Sequence, residues 1–315
     1  EDSHPHEIDP ETLETKEKFD FDGALTSTAL SAHGKIDPVT GEWWAFGLFA
    51  DRRFDGEVAL IVADKNGTLI REERFQAPFP GMMHDFAVTR EHVIFDIQPL
   101  TVDLDRVKAG GDFYAFDENL PSMWGIMPRA GTTDDIRWFK APNVVVGHIM
   151  NGYTEGRKVI VDAPVSVGNP FPFFPDLEGN PTNVDDSFGR ITRLTFDLAS
   201  EHDEPEVLVI DEAVGEMPRI DDRFAMEKYR YGFFKSAEGI SRIDWDTQEL
   251  TTFPLAPPEL AHEPIFVPRS PDAPEGDGFI LTVVNHYATN RGELLILDAQ
   301  NLDREPLARA KIPFA

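Results

Sequence analysis

Pro80-Gly81-Met82-Met83-His84-Asp85-Phe86-Ala87-Val88-Thr89 places one histidine between apolar residues and the start of a strand. Two more histidines sit in comparable settings. One lies upstream, in Ser31-Ala32-His33-Gly34-Lys35-Ile36-Asp37-Pro38. The other lies downstream, in Val146-Gly147-His148-Ile149-Met150-Asn151-Gly152-Tyr153. The spacings, 51 residues from 33 to 84 and 64 from 84 to 148, match no local metal motif. A helix would instead present two histidines at i and i+4. Neutral imidazole is a good ligand for iron, copper, nickel and zinc. Three such residues converge only in a fold that returns each strand group to one axis, as a propeller does. A core histidine with a satisfied ring is the competing reading for each one alone; their shared setting points to a metal.

The bulk composition narrows the partners. Lys+Arg number 29 against Asp+Glu 57 in 315 residues, a formal net charge of -28. Nucleic acid and anionic membrane both require a basic face, so neither is an expected partner. There are no cysteines. That excludes a disulfide scaffold, cysteine-ligated zinc, iron–sulfur clusters and a cysteine nucleophile within this sequence. It also fits a reducing compartment, and a cytoplasmic location is expected. No apolar run approaches the roughly 18 residues that would span a bilayer. The start shows no basic region followed by an apolar stretch, so no signal peptide is expected.

Along the chain, short strands alternate with turns. Candidate strands are 43–50, 57–64, 68–75, 84–89, 92–96, 137–139, 144–153, 158–163, 189–197, 206–211, 231–234, 239–244, 278–285 and 292–298. Asn66-Gly67 reads as a hairpin turn. No long stretch has a 3.6-residue period. This pattern predicts an all-β chain: a sandwich, barrel or propeller, with groups at roughly 45–60 residues favouring propeller blades carrying insertions. Two stretches read as long loops, 100–129 and 165–186. The second holds Phe171, Phe173 and Phe174, which either line a substrate tunnel or plug a loop onto the core.

A metal-bound histidine usually gives its second ring N–H to a carboxylate or carbonyl. Most acids here stand in charge-rich loops. Glu216 and Glu263 are flanked by Met, Pro, Ile and Phe, which marks them as candidate partners, with an ordinary loop acid as the alternative. Asp85 reads as a strand-edge hydrogen bonder, and His4 and His6, beside Pro5, as a solvated loop.

Taken in order, these stretches resemble the carotenoid cleavage oxygenase family over nearly the whole chain. The resemblance rests on six stretches: residues 32–42, 83–89, 148–153, 216–221, 263–268 and 293–299. These begin with Ala32-His33-Gly34-Lys35-Ile36-Asp37-Pro38 and Met83-His84-Asp85-Phe86. It implies a seven-bladed β-propeller forming a single domain over 1–315. It also implies non-haem Fe(II) held by four histidines, His33, His84 and His148 being three. Glu1, Glu216 and Glu263 match the family's outer carboxylates. Gly34 stands where the family usually has proline. The family's fourth histidine follows a strand like 308–314, so it is expected beyond Ala315, and the chain reads as an internal fragment incomplete at both ends. His286 is not its replacement.

The resemblance implies O2-dependent cleavage of a C=C bond into two carbonyl products. Gly81-Met82-Met83-His84, Trp124-Gly125-Ile126-Met127-Pro128-Arg129 and the acidic surface look most like the stilbene-cleaving branch. The expected substrate is therefore a small hydrophobic, phenolic alkene, with an apocarotenoid as the alternative. Phe171, Phe173 and Phe174 are its candidate pocket. A propeller hydrolase with a hard cation would need an oxygen cage, and a catalytically silent scaffold would need no metal.

Overall fold

Glu57–Ala63 (EVALIVA) is a strand because β-branched and small apolar residues suit a pleated surface buried on both faces. It pairs with Trp43–Leu48 on one edge and Leu69–Gln76 on the other. The turn between them is built on Asp64, whose carboxylate accepts from the backbone of Asn66 at 2.8 Å and Thr68 at 2.9 Å. Gly67 takes the left-handed conformation (φ 81°) that the turn needs. A register shift between Val62 and Ala63 absorbs the extra residue.

The computed structural model describes residues 3–51, 53–142, 144–183 and 188–313. The chain divides into two compact units. The first comprises Glu1–Val145, Val167–Ser187 and Ser200–Glu204; the second comprises Val146–Ser166, Phe188–Ala199 and Pro205–Ala315. Among the described residues the one regular α-helix is Leu104–Lys108, capped by the Asp103 carboxylate, so the expected all-β class holds. No helix there is long and apolar enough to cross a membrane.

The first unit contains two main sheets. Lys35–Ile36, Trp43–Leu48, Glu57–Ala63 and Leu69–Gln76 form one antiparallel meander. The other is built on the 11-residue strand His92–Val102. Ser122–Pro128 and then Arg137–Ala141 pair along one side of it. On its other side two short strands follow one another, Gly81–Met82 and Phe86–Val88.

The stretch 100–129, expected as a long loop, is therefore largely not a loop. It carries the end of one strand, the short helix, Tyr114–Phe116 and the whole of Ser122–Pro128. Ser122–Pro128 hides from pattern reading because it is buried on both faces and so does not alternate, and because Gly125 resembles a breaker. The glycine is there for space: a Cβ would come within 2.9 Å of the Trp138 ring.

In the second unit, Asn151–Glu155, Lys158–Ser166 and Gly189–Asp197 lead into the 15-residue strand Glu206–Ile220. The first half of that strand closes one four-stranded set, and its second half opens the next with Tyr231–Ser236, Gly239–Asp244 and Glu249–Pro254. A last set runs through Gly278–His286, Arg291–Asp298 and Ala308–Ile312, with Glu259–Ala261 and Ile265–Pro268 both on the free side of Gly278–His286. Phe233, Ile240, Ile280 and Leu295, all fully buried, hold two of these sets together.

A buried charged group also ties this unit. Asp162, fully buried, accepts two bonds of 2.8 Å from Arg193 and one of 2.8 Å from the Tyr229 hydroxyl. The Arg193 guanidinium lies 4.1 Å from the Trp245 ring centroid, and the Trp245 indole donates to the Tyr229 oxygen at 2.9 Å.

Candidate metal centre

His84 owes its position to a break in a strand. Met82 pairs with Gln98, whereas Phe86 pairs with Phe95. Four steps on one strand thus face three on the other, and the spare residue pushes Met83-His84-Asp85 out of the ladder. Glycine at 81 admits this path, because a Cβ would run into the Gln98 carbonyl and the Phe79 ring. Glu263 occupies an equivalent break in the second unit: Ala261 pairs with Val284 and Ile265 with Leu281. His148 lies between the short strand Val145–Val146 and Asn151–Glu155.

In the first unit, His33 and His84 come together, their Nε2 atoms 3.1 Å apart. Their rings meet edge to face, with centroids 4.6 Å apart. His33 is set by a local turn in which its backbone N–H donates to the Ser31 hydroxyl at 3.0 Å. Two imidazole nitrogens, each about 2.1 Å from one metal and at right angles, would be about 3 Å apart. The pair fits cis ligation. Gly34, the departure from the family's usual proline, has a structural cause: a Cβ there would collide with the Trp43 indole.

In the second unit, His148 Nδ1 lies 2.8 Å from Glu216 Oε2. The carboxylate accepts a hydrogen bond from Nδ1–H, which leaves the Nε2 lone pair available to a metal. Glu216 is aimed by a β-bulge. Its partner is Lys235, while Arg219 already pairs with Phe233, so the strand carries one extra residue. The bulge forces Met217 to φ 56°, and the Met217 N–H donates back to Glu216 Oε2 at 2.6 Å.

The remaining expected residues lie as follows. Glu263 is 47% exposed and 3.6 Å from the Arg219 guanidinium. Glu1 lies outside the described residues. Phe171 stands edge-on to His84, ring centroids 5.6 Å apart, and Phe174 follows at 6.2 Å from Phe171. Phe173 is 87% exposed. His286 pairs with Glu259 at 3.0 Å. His6 lies in the exposed strand His6–Ile8.

Several residues of this region escaped the sequence reading. Asn169, buried in the phenylalanine loop, donates to the Phe174 carbonyl and accepts from the Phe171 N–H at 2.9 Å, which fixes the turn carrying both rings. Asp37, four residues past His33, accepts from Val39 and Thr40 backbone N–H groups and from Arg90 and Arg129. Burial opposes ionisation there, but Arg129, the two N–H groups and Arg90 outweigh it and hold the Asp37 carboxyl well below its usual range. The Asx-turn signal Asp37-Pro38-Val39-Thr40 was legible; its arginine partners, from distant strands, were not.

With this geometry in view, comparison with known proteins gives the family. Residues 1–315 match the retinal pigment epithelial membrane protein family, RPE65. The chain belongs to the RPE65/carotenoid cleavage oxygenase family. Among characterised carotenoid oxygenase relatives, it is 39% identical to the isoeugenol monooxygenase of Pseudomonas putida over 331 residues, covering 100% of this chain and 69% of that protein. It is 38% identical over 329 residues to lignostilbene-alpha,beta-dioxygenase isozyme III of Sphingomonas paucimobilis, covering 98% and 67%. The crystal structure of Pseudomonas brassicacearum lignostilbene dioxygenase matches with a TM-score of 0.95 at 35% identity, covering 100% of this chain and 69% of that one. The sheets described above thus follow the propeller fold of the carotenoid oxygenases, as the sequence resemblance implied.

Proposed function

We propose that this carotenoid oxygenase cleaves the side-chain alkene of a stilbenoid or phenylpropenoid with O2, giving carbonyl products, and that His33, His84 and His148 bind one ferrous ion. The observation that carries the metal assignment is the meeting of two imidazole Nε2 atoms at 3.1 Å in a family of oxygenases. Near-equal identity to an isoeugenol monooxygenase and a lignostilbene dioxygenase supports a phenolic alkene substrate.

When bound, ferrous iron would supply the binding and activation of O2. The protein's own residues do the rest. Neutral imidazoles leave the ion's charge uncancelled, and the Glu216 carboxylate offsets part of it while holding the His148 ring in one tautomer. Glu263 and Glu1 belong to the same proposed carboxylate set. Phe171, edge-on to His84, and Phe174 behind it form an apolar wall against which a flat aromatic alkene can lie. A substrate with few polar groups is selected by such shape. Phe173, at 87% exposed, is assigned no part in that wall. A reducing, cytoplasmic setting would keep the ion ferrous and accords with the absence of cysteine from the 315 residues.

The test is elemental analysis followed by aerobic incubation with a hydroxylated stilbene, isoeugenol and an apocarotenal in parallel. Stoichiometric iron with aromatic aldehyde from either of the first two is the expected result. Product from the apocarotenal alone would overturn the substrate class. Absence of iron after anaerobic Fe(II) loading would overturn the metal assignment.

A further inference from the structure

Two segments of the first unit carry the paired histidines, and an ion pair joins those segments directly. Lys35, two residues after His33, places its Nζ 2.7 Å from Oδ1 of Asp85, the residue after His84. The Asp85 side chain is 2% exposed and that of Lys35 26%. The same Oδ1 accepts the Phe86 backbone N–H at 2.7 Å, so the carboxylate is fixed to the strand that restarts after the break. A buried carboxylate needs a cationic or hydrogen-bonding partner to stay ionised, and here the cation comes from the other histidine segment. Asp96, fully buried on the neighbouring strand, is pushed toward its neutral form by burial and then by the charge of Asp85.

We infer that Lys35 and Asp85 are positioning residues: their ion pair clamps the His33 segment to the His84 segment and sets the 3.1 Å separation of the two Nε2 atoms. The inference rests on the metal assignment proposed above. Met83-His84-Asp85 lies between the paired residues Met82 and Phe86, and Lys35–Ile36 is a strand of only two residues. Asp37, through Arg90 and Arg129, ties the segment after His33 to the ends of strands in the next sheet; Lys35 links it to Asp85, the residue after His84.

The test uses Co(II) as a spectroscopic probe in the full-length protein, with Lys35→Met, Asp85→Asn, the double variant and Lys35→Arg. Lys35→Met is the deciding variant, because its partly exposed side chain can be truncated with less risk to folding than buried Asp85. Its circular dichroism should match wild type. Its Co(II) affinity should fall by about 10- to 100-fold, the usual effect of losing a group that orients ligands, with a shifted ligand-field spectrum. Lys35→Arg should restore both. The double variant should lose no more than the worse single one, since the two side chains act as a unit. If a folded Lys35→Met binds Co(II) with wild-type affinity and spectrum, the clamp is overturned while the metal site stands. If wild type itself binds no Co(II), the metal site falls and the clamp with it.

Discussion

His148 Nδ1 and Glu216 Oε2 lie 2.8 Å apart across 68 residues of sequence. A one-residue bulge and a left-handed methionine aim the carboxylate at that nitrogen. For a non-glycine residue, φ near 60° costs energy that packing elsewhere has to offset. Glu216→Ala should remove the hydrogen-bond acceptor and free the imidazole to rotate. The expected result is about 10- to 100-fold loss of metal affinity, read by competition with a chelator, with Glu216→Gln intermediate because an amide oxygen still accepts.

Phe171 touches His84 through ring edges and is placed by Asn169. Phe171→Ala should raise KM for a stilbenoid severalfold while leaving iron content at the wild-type level. Phe173→Ala, at a ring 87% exposed, should change neither. Equal effects of the two substitutions on KM would remove Phe171 from the pocket wall.

In the second unit Arg193, 19% exposed, pairs with the fully buried Asp162. Truncating one member leaves an uncompensated charge, so Arg193→Met should cost about 3–5 kcal/mol in urea unfolding. Tyr229→Phe removes one of the three bonds to the carboxylate and should cost about 1–3 kcal/mol. Asp162 lies opposite Asn151, three residues after His148, so Arg193→Met should also lower metal occupancy in partly unfolded samples.

Two carboxyls of the first unit should shift stability with pH in opposite senses. Asp37 has a folded pKa held low by its arginines and N–H donors, against the effect of burial. Its contribution is fully present above the unfolded value of about 3.9 and is lost as pH falls from there through the lower folded value. Asp37→Asn should therefore destabilise at neutral pH and by a smaller amount at pH 3. Asp96 has a folded pKa raised by burial and by Asp85, so its neutral form favours the native state at low pH. That contribution is lost as pH rises from about 4 toward the folded value. Asp96→Asn, uncharged at every pH, should gain stability relative to wild type as pH rises from 3.5 to 7. Urea midpoints at the two pH values separate the variants.

Much of the fold was legible because strands leave a strong local signature. Gly189–Asp197 and Gly239–Asp244 fall on the bounds read from apolar and β-branched residues between turns. The sequence also marked His33, His84 and His148, because each sits where an apolar run meets a turn. Ser122–Pro128 was missed because a strand buried on both faces has no alternation to detect. The bulge that aims Glu216 was missed because one extra residue in a pairing is a property of two strands, not of one.

By itself, then, the sequence determined the all-β class, the family and the identity of the candidate ligands, since these depend on local composition and on motifs preserved in order. Which neighbours those ligands have was decided only in three dimensions. Phe171 and Phe173 are two places apart, yet one faces His84 and the other faces water, because the Asn169 turn separates them. Trp43 dictates glycine at 34, and Lys35 reaches Asp85 across 50 residues, from 35 to 85. The reason is physical: hydrogen bonds, ion pairs and close packing act over a few ångströms of space, and the strand pairing that creates such proximity is non-local along the chain.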